Sequence, residues 1–549
     1  MRPLDWWVLG LSVFFIVAYG AWKGRNSSTT KEYLLAGKTM PWYAMALSIM
    51  ATQASAITFI STTGQAYADG MRFVQFYFGL PLAMIIVSYT AVPIFHRANV
   101  YTAYEYLEKR FDAKTRALVS IIFLVQRGLA VGVALYAPAI VLTVIFGWPD
   151  QYTTVIMGFV VVAYTAFGGI KAVTWTDFQQ MLVMIAGLIA ALIIAVYLLP
   201  SDVSFNDALK LAGAAGRLNA VVTSFDWNDR YNIWNGLLGG MFLALAYFGC
   251  DQSQVQRYLT GKSIAQSRLS LLFNAVAKIP MQFTILLVGA VVFVFFIFEK
   301  PPIIFHQQER VKIERRTDYP QLNRRHDTAF EQRRTAAREF IESGNPLPFQ
   351  QAHAEMERVR KEAAAGVNDT NYIFLGFVTR YMPAGVVGLI MAAIFAAAMS
   401  TISAEINSLA TVSVIDIYRR FLAPDASDGH TLNASRIATV FWGFYAVVTA
   451  GFGRNLGSLI EAVNMLGSLF YGSMLGVFVL AFFFRRVGGT AAFIGVLAGQ
   501  AVVFWMFKFT GVSFLWYNVA GSLVVIATGL AISAATPASP GAASDRQTA

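Results

Sequence analysis

The amino-acid sequence predicts an all-α polytopic membrane protein with about thirteen transmembrane helices. Of its 549 residues, 56% are hydrophobic and only 13% are charged, whereas a soluble domain carries about 25% charged residues. Apolar stretches of ~20 residues recur along nearly the whole chain, and this length crosses a bilayer as a helix. These two observations exclude a soluble globular protein and make the lipid bilayer its surroundings.

The predicted spans follow one another along the chain. They are 5–22, 41–64, 72–95, 116–146, 151–167, 176–199, 232–253, 268–298, 383–413, 435–453, 457–483, 488–508 and 513–534. The first span lacks a small-residue cleavage site and precedes a basic loop. We therefore expect it to remain as a helix rather than to be removed as a signal peptide.

Lysine and arginine are distributed unevenly between the connections. Nineteen lie in one set of loops and the C-terminal tail, and seven lie in the short segments of the other set. Because positively charged loops stay in the cytoplasm, this asymmetry predicts the N-terminus outside and the C-terminus inside. The expected location is the plasma (inner) membrane. The asymmetry also explains the net charge of +11 without nucleic-acid binding.

The connection 299–382 differs from the others in length and character. Its mixed charges and modest apolar periodicity predict a small extracellular helical subdomain, for which a lid and a solvated decoration both remain open. The last fifteen residues, 535–549, read as a disordered tail. The single cysteine, Cys250, excludes a disulfide framework, and all five histidines fall in predicted loops. An intramembrane histidine site is therefore not expected.

One predicted span is interrupted by polar residues. The segment FAAAMSTISAEINSLATV (395–412) places hydroxyl, amide and carboxylate groups inside an otherwise apolar stretch. Burying such groups at membrane depth is costly unless a ligand or a partner satisfies them. The segment is therefore a candidate functional site.

Four segments, in order along the chain, resemble the sodium:solute symporter family, which includes the sodium/glucose cotransporters and sodium/sialic acid symporters. They are YTAYEYLEKRFD (101–112), AFGGIKAVTWTDFQQ (166–180), YFGCDQSQVQRYLTGKS (247–263) and the span that contains 395–412. The resemblance covers residues 5–510, except for the connection 299–382.

The resemblance implies a LeuT-like architecture of two inverted five-helix repeats. Here they would be 41–199 and 232–483, joined by the loop 200–231, preceded by 1–40 and followed by two helices in 484–534. Such folds break the first helix of each repeat to free carbonyl groups for ions. ATQASA (51–56) and GLLGG (236–240) fit those breaks.

The resemblance also implies a central Na⁺ site and an ion-exit path. Sodium binds oxygen ligands, which map to the carbonyl groups of Ala51, Ala54 and Ala397 and to the hydroxyls of Ser400 and Thr401; the alternative is small-residue helix packing. Asp177 maps to the exit path, or to a second sodium site with Ser400, Ser403 and the position of Ala404. Ala404 has no hydroxyl, which argues against a second ion. Alternatively, Asp177 caps the start of its own helix.

The solute pocket implied by the resemblance is only partly that of a sugar transporter. Tyr247, the inner gate that stacks on the solute, and Lys278 match the sugar-transporting branch, and Asn464 replaces one amide with another. The other pocket positions are Gln53, Ser55, Ile57, Thr58, Tyr77 and Ala244. A polyol needs several paired donors and acceptors, and Ile57 and Ala244 supply none.

Two charged residues in apolar segments have open assignments. Arg127 matches an arginine that holds a carboxylate in family members that carry acidic sugars, which favours an anionic or zwitterionic solute. The equally open alternative is that Arg127 pairs with Glu405 or with backbone carbonyls and has a structural role. Glu405 could pair with Arg127, take up a proton, or add charge beneath the sodium ion.

The predicted function is sodium-coupled import of a small polar organic solute, of the sugar or acidic sugar/carboxylate class, by alternating access. A membrane sensor or intramembrane enzyme built on the same body is the alternative. Enzyme chemistry lacks a histidine base at membrane depth and a metal motif, and a sensor would carry a soluble signalling domain. No obligatory protein partner is expected.

Overall fold

The computed structural model describes residues 1–24, 29–364, 366–451 and 458–535, and the regular structure of these residues is helical. Its one β-type contact there is an isolated bridge between Met40 and Gly261. The predicted tail lies outside the described residues, apart from Ala535. The all-α polytopic class is confirmed.

The first half of the chain forms thirteen α-helices. These are α1 (Pro3–Gly24), α2 (Thr30–Leu35), α3 (Trp42–Gln53), α4 (Thr63–Asp69), α5 (Leu80–Tyr89), α6 (Ala91–Ala98), α7 (Ala103–Arg110), α8 (Ala113–Phe146), α9 (Asp150–Tyr197), α10 (Phe205–Ala214), α11 (Gly240–Gly249), α12 (Gln252–Leu259) and α13 (Ile264–Phe298). Short 3₁₀ or π segments extend them at Ala36–Lys38, Thr58–Thr62, Met71–Tyr77 and Asn235–Gly239.

The second half adds nine α-helices. They are α14 (Gln307–Glu314), α15 (Tyr319–Ser343), α16 (Leu347–Ala364), α17 (Thr370–Tyr381), α18 (Val386–Val412), α19 (Asp428–Ala450), α20 (Leu459–Phe483), α21 (Gly489–Phe509) and α22 (Leu515–Ala535). A π segment, Ser413–Leu422, continues α18. Within the described residues, nine helices are long and apolar enough to cross a membrane, or ten when α3 and α4 count as one bent span. The total of thirteen spans stays a prediction.

The predicted break within 51–56 is confirmed. Helix α3 ends at Gln53, and the chain resumes as a helix at Thr58 with a bend of 61° between the two halves. The Ala54 N–H still donates to the Met50 carbonyl at 2.9 Å, and the next turn starts where Thr58 N–H donates to Ser55 O at 2.9 Å. Ala54 and Ser55 lie outside either helix.

The predicted break at 236–240 is wrong. Residues Asn235–Gly239 form a π segment that runs directly into α11, and the interruption comes later, between Gly249 and Gln252. The glycines serve close packing instead, since a Cβ on Gly236 would lie 1.9 Å from the carbonyl oxygen of Gln75. Asp251 starts the new helix α12 as its N-cap, and its side chain accepts from Ser253 N–H at 2.8 Å.

Helix α18 lies at the centre of the molecule. In its most apolar 18-residue stretch, 89% of the residues are buried, whereas the corresponding stretch of α1 has 17% buried and exposes Trp7, Phe14 and Phe15. Because large apolar side chains avoid water, the exposed face of α1 is the one suited to lipid. Helix α18 packs against α1, α3, α8 and α9, so its polar residues can meet partners on several elements.

The insertion 299–382 is helical, as predicted. Helices α15 and α16 pack together with the segment that precedes them, around a small core that includes Ile313, Phe330 and Met356. The buried Arg333 donates to the Phe296 carbonyl at the end of α13, at 2.5 Å, and thereby attaches this core to the membrane-spanning body.

Candidate functional site

The bend between α3 and α4 opens onto a cavity bounded by α8, α11, α18 and α20. Nine of the residues that the sequence singles out line it: Gln53, Ser55, Thr58, Tyr77, Arg127, Tyr247, Thr401, Glu405 and Asn464. Ile57 and Ala244 also line the wall and offer no polar side chain. The cavity wall is therefore partly apolar, as the sequence indicates.

Lys278 is the one predicted pocket residue that does not line this cavity. Its side chain is fully buried in α13, and its ammonium group lies 5.3 Å from the centre of the Tyr77 ring. The nitrogen makes no hydrogen bond within the described part of the chain. Tyr77, which does line the cavity, thus stands next to Lys278.

The end of α3 and the middle of α18 meet through a hydroxyl. Thr401 donates to the carbonyl oxygen of Thr52 at 3.2 Å, and Thr58 donates to the carbonyl oxygen of Gln53 at 3.2 Å. The last carbonyls of a helix have no partner in their own helix. Among the described contacts, the carbonyls of Thr52 and Gln53 accept from side-chain hydroxyls, whereas no side-chain partner is described for the carbonyls of Ala51 and Ala54.

The carboxylate of Asp177 lies beneath this junction. It accepts from Ser400 on α18 at 2.5 Å, from Ser48 on α3 at 2.6 Å, and from Arg257 on α12 at 2.6 Å. Arg257 also bonds to the Ser48 hydroxyl. The side chains of Asp177 and Arg257 are 0% and 1% exposed, so this is a fully buried ion pair that joins α3, α9, α12 and α18.

The proposed capping of a helix start by Asp177 is wrong. Helix α9 is continuous in its hydrogen bonding but kinks at Gly169, whose φ of 58° lies in the left-handed region. Asp177 lies eight residues after this kink, well inside the helix, so its carboxylate is directed to neighbouring helices. Ser403 does not join it, because the Ser403 hydroxyl donates to the Ser400 carbonyl at 3.1 Å.

A second buried charge network forms one wall of the cavity. One terminal nitrogen of Arg127 donates to Glu405 at 2.8 Å, and the other contacts Asp251 and donates to the Tyr471 hydroxyl at 2.6 Å. Tyr471 in turn donates to Asp251 at 2.8 Å. We refer to Arg127, Asp251, Glu405 and Tyr471 as the arginine cluster. Of the assignments open for Arg127 and Glu405, the structure shows their mutual pairing.

Tyr247 lies in the same wall of the cavity. Its hydroxyl accepts from the Gln254 side chain on α12 at 2.7 Å, and its ring lies 5.6 Å from the Arg127 guanidinium carbon. The tyrosine therefore links α11 to α12 across the break at Cys250. Such a bond is worth about 1 kcal/mol, which is weak enough for a moving element to break.

Sequence reasoning missed Asp251, Arg257 and Tyr471, and also Ser48 and Gln254, which donate to Asp177 and Tyr247. Asp251 and Arg257 lie within a segment quoted for its family resemblance, and Tyr471 lies in an apolar span. Charges inside a family motif at membrane depth are a signal that could have identified the first two. Tyr471 carries no such signal, because buried tyrosines are common in helix packing.

The family model for the sodium:solute symporter family matches residues 33–307 and 350–499. The chain belongs to this family. It is a sodium-coupled solute transporter, since the matching family and the curated relatives are sodium-coupled transporters. Neither the sensor nor the enzyme alternative has support among them. The symporter is a multi-pass membrane protein, in accordance with its apolar helices.

Curated relatives match this symporter over nearly its whole length. It is 28% identical to the sodium/sialic acid symporter NanT of Aliivibrio fischeri over 519 residues, with 94% of this chain and 90% of the relative covered. It is also 28% identical to the sodium/glucose cotransporter of Vibrio parahaemolyticus, with 95% and 89% covered. The human sodium-coupled monocarboxylate transporter 1 is 27% identical, with 89% and 70% covered.

A solved structure shares the fold. The substrate-bound, outward-open state of a Na⁺-coupled sialic acid symporter superposes with a TM-score of 0.78, covering 98% of this chain and 99% of that chain at 24% identity. The expected architecture of a membrane symporter is thereby confirmed at the level of the fold.

Proposed function

We propose that the symporter imports one sodium ion with a small polar organic solute bound in the cavity at the α3–α4 bend. The observation that carries this proposal is the contact of Thr401 with the Thr52 carbonyl. It brings a hydroxyl of α18 to the end of a broken helix, where carbonyl oxygens are released from helical bonding. Hydroxyl and carbonyl oxygens are the ligands that a hard cation such as Na⁺ prefers.

The proposed sodium ligands are the carbonyl groups of Ala51, Ala54 and Ala397 and the hydroxyls of Ser400 and Thr401. Ser400 also contacts Asp177, which would direct the hydroxyl oxygen while leaving its lone pairs for the ion. Sodium bound here would hold α3 against α18 and so shape the adjacent solute cavity. Binding of the two cargoes would then be positively coupled.

The surroundings of Asp177 support one sodium ion per cycle. A carboxylate buried among apolar helices requires a cation, and Arg257 already provides a fixed one at 2.6 Å. Ala404 lacks a hydroxyl, and the Ser403 hydroxyl is engaged with its own helix. We therefore propose that Asp177 organises the sodium site and its exit path rather than forming a second site with Ser403.

The transport cycle would alternate access to the cavity between the two membrane faces. Sodium binds first and solute second, the outer side closes, and the inner side opens past Tyr247 as its bond to Gln254 breaks. An inside-negative potential contributes ~2.3 kcal/mol per charge per 100 mV to inward sodium movement. We propose that the protein lies in the plasma (inner) membrane, and the distribution of positive charges supports an N-terminus on the outside.

The solute is proposed to belong to the sugar or acidic sugar/carboxylate class, since sialic acid, glucose and monocarboxylates appear in the names of similar proteins. Gln53, Ser55, Thr58 and Asn464 supply polar groups around the cavity, and Tyr77 adds an aromatic ring to its wall. We also propose that residues 41–199 and 232–483 form the two inverted repeats. The loop 200–231 joins them, 1–40 precedes them and 484–534 follows them.

The insertion 299–382 is proposed to be an outer lid. Helix α17, the last helix of the insertion, packs against α4, the outer half of the broken helix. A displacement of the insertion would therefore also displace α4, which belongs to the broken helix that shapes the sodium site. The lid is favoured over a solvated decoration by this contact and by the attachment of Arg333 to α13.

Sodium-dependent stabilisation of the purified protein tests the proposal. The melting temperature should rise when sodium replaces potassium at constant ionic strength, and Thr401→Ala should weaken the apparent sodium affinity at least tenfold. Ser408→Ala is the matched control, because this hydroxyl on the same helix donates only to its own helix, at the Glu405 carbonyl. Equal sodium responses in the Thr401 variant and the wild type would refute the assigned site.

Transport itself is measured in proteoliposomes. Uptake of a solute identified by the stabilisation screen should require an inward sodium gradient and should respond to membrane potential with one net charge per neutral solute. Uptake that persists without sodium would contradict the function.

A further inference from the structure

The arginine cluster contains one guanidinium and two carboxylates, and all of its members are buried. Asp251 is fully satisfied: one oxygen accepts from Tyr471 and contacts Arg127, and the other accepts from Ser253 N–H and Oγ at 2.8 and 2.6 Å. Glu405 is not. Its Oε1 accepts from Arg127, whereas its Oε2 has no hydrogen-bond partner in the described part of the chain.

The unused oxygen of Glu405 belongs to a residue that lines the solute cavity. Glu405 is 4% exposed and Arg127 is 3% exposed, so bulk water does not solvate the pair. One guanidinium cannot neutralise two ionised carboxylates, and a buried excess of negative charge is costly. A cation that enters the cavity would therefore be favoured at Glu405.

Arg127 is poorly placed to receive a solute carboxylate. Both of its terminal nitrogens already face protein acceptors, one at Glu405 and the other at Asp251 and Tyr471. A carboxylate needs the two parallel donors of the guanidinium fork for its strongest binding. The Nε–H of Arg127 has no partner among the described residues, so a fork on that side would combine it with a terminal nitrogen that already donates to protein acceptors.

The rest of the wall suits an organic cation. Five aromatic side chains line the same cavity as Glu405, namely Phe76, Tyr77, Tyr247, Phe248 and Tyr471. The faces of aromatic rings attract ammonium groups, and they do so most strongly where water is excluded. Sodium itself is a hard ion that prefers several oxygens, and the bend at α3 offers it those instead.

We propose that the transported solute carries a protonated amine, and that this ammonium group donates to Glu405 Oε2 against the aromatic wall. The inference rests on the proposed function and specifies its solute: a small amine-bearing molecule of the amino acid or amino sugar type. The amides of Gln53 and Asn464 are available for the remainder of the molecule. In this arrangement Arg127 is a positioning residue that holds Glu405 and does not contact the solute carboxylate.

Matched pairs of probes test the amine directly. Full-length protein is titrated at a saturating sodium concentration with alanine against lactate and N-acetylalanine, with glucosamine against glucose and N-acetylglucosamine, and with ethylammonium. Potassium serves as the sodium replacement, since an organic cation would compete for the site. The amine of at least one set should stabilise the protein at concentrations at least tenfold lower than its uncharged partners.

The variant Glu405→Gln keeps the size and one acceptor but removes the charge. It should weaken amine binding by about 10- to 100-fold, in line with the loss of a charge-assisted bond. Glu299→Gln, at the outer end of α13, is the matched control and should bind as the wild type does. Sodium-induced stabilisation without solute is recorded in parallel for all three proteins.

The outcomes separate the two proposals. Equal binding by amines and their deaminated or acetylated partners, unchanged amine binding in Glu405→Gln, or the absence of any Glu405-dependent response among the probes each overturns the inference. Lactate binding that requires Arg127 overturns it as well, in favour of a guanidinium anion site. If sodium alone fails to stabilise the wild type, the proposed function fails instead. Should Glu405→Gln not fold, the probe pairs on the wild type decide.

Discussion

The ion pair between Asp177 and Arg257 provides a quantitative prediction about sodium stoichiometry. Both charges are fully buried, with 2.6 Å between the carboxylate and the guanidinium nitrogen. Removal of one partner leaves the other uncompensated, which costs about 3–5 kcal/mol in buried pairs. Asp177→Asn and Arg257→Gln should each destabilise the protein by this amount. The double variant, which buries neither charge, should lose several kcal/mol less than the sum of the two.

Thermal unfolding in detergent measures these differences. For 549 residues, an unfolding entropy of about 2.1 cal/mol/K per residue converts 3–5 kcal/mol to roughly 3–4 °C. Each single variant should therefore melt about 3–4 °C below the wild type, and the double variant should melt above the value that additivity predicts. Ser403→Ala is the control, since its hydroxyl donates to its own helix, and it should shift the melting temperature by less than about 1 °C.

The same variants distinguish one bound sodium ion from two. Stabilisation by a bound ion grows by about 1.4 kcal/mol for each tenfold rise in concentration above its dissociation constant. The wild type should show this slope for one ion. Arg257→Gln, which strips Asp177 of its fixed cation, should recruit a second sodium ion and about double the slope, and the added Asp177→Asn change should restore it. A double slope in the wild type, or additive single effects, would show that the guanidinium does not compensate Asp177.

Three further predictions use other parts of the molecule. Tyr247→Phe, which removes the bond to Gln254 worth about 1 kcal/mol, should speed alkylation of the buried Cys250 at the α11–α12 break about fivefold; an unchanged rate would argue against an inner gate here. Burial lowers the pKa of His326 in the insertion to about 4. As the pH falls below ~6.5, the unfolded state therefore binds a proton before the folded state does, and the folded state loses stability. Hydrogen exchange in α15 should report about 2 kcal/mol less stability at pH 5 than at pH 7, a loss that His326→Leu should abolish. Asp5→Ala should lower the melting temperature by about 1 °C, because the Asp5 carboxylate caps α18 at Gly385 and Gly388, whereas Asp5→Asn should retain most of the stability.

Apolar span length made most of the fold predictable. Helices such as α8 and α13 coincide with their predicted spans because a run of apolar residues has few alternatives in a bilayer. The bend at 54–57 was predictable because small polar residues interrupt such a run. The second interruption was misplaced because glycine has two uses: it weakens a helix, and it also admits a neighbouring backbone, as Gly236 admits Gln75.

The candidate site was predictable only where chemistry is local in the sequence. Ser400 and Thr401 stand out because they lie side by side in an apolar helix. The partner of Arg127 at Asp251 is 124 residues away, and its partner at Tyr471 is 344 residues away. Only the packing of the helices decides such pairs, so one sequence left pairing with Glu405 and recognition of a solute carboxylate equally open.

Helix α12 has a consequence for how tightly the two cargoes can be linked. It is eight residues long; its N-cap, Asp251, belongs to the arginine cluster, and Arg257 reaches Asp177 about 9 Å along the same helix axis. A rigid element of this size cannot swing without disturbing both contacts together. Solute release and sodium release would therefore share one mechanical step, which leaves little room for slippage, in which an ion crosses alone and its gradient is dissipated. A small molecule wedged against α12 would accordingly arrest both fluxes at once.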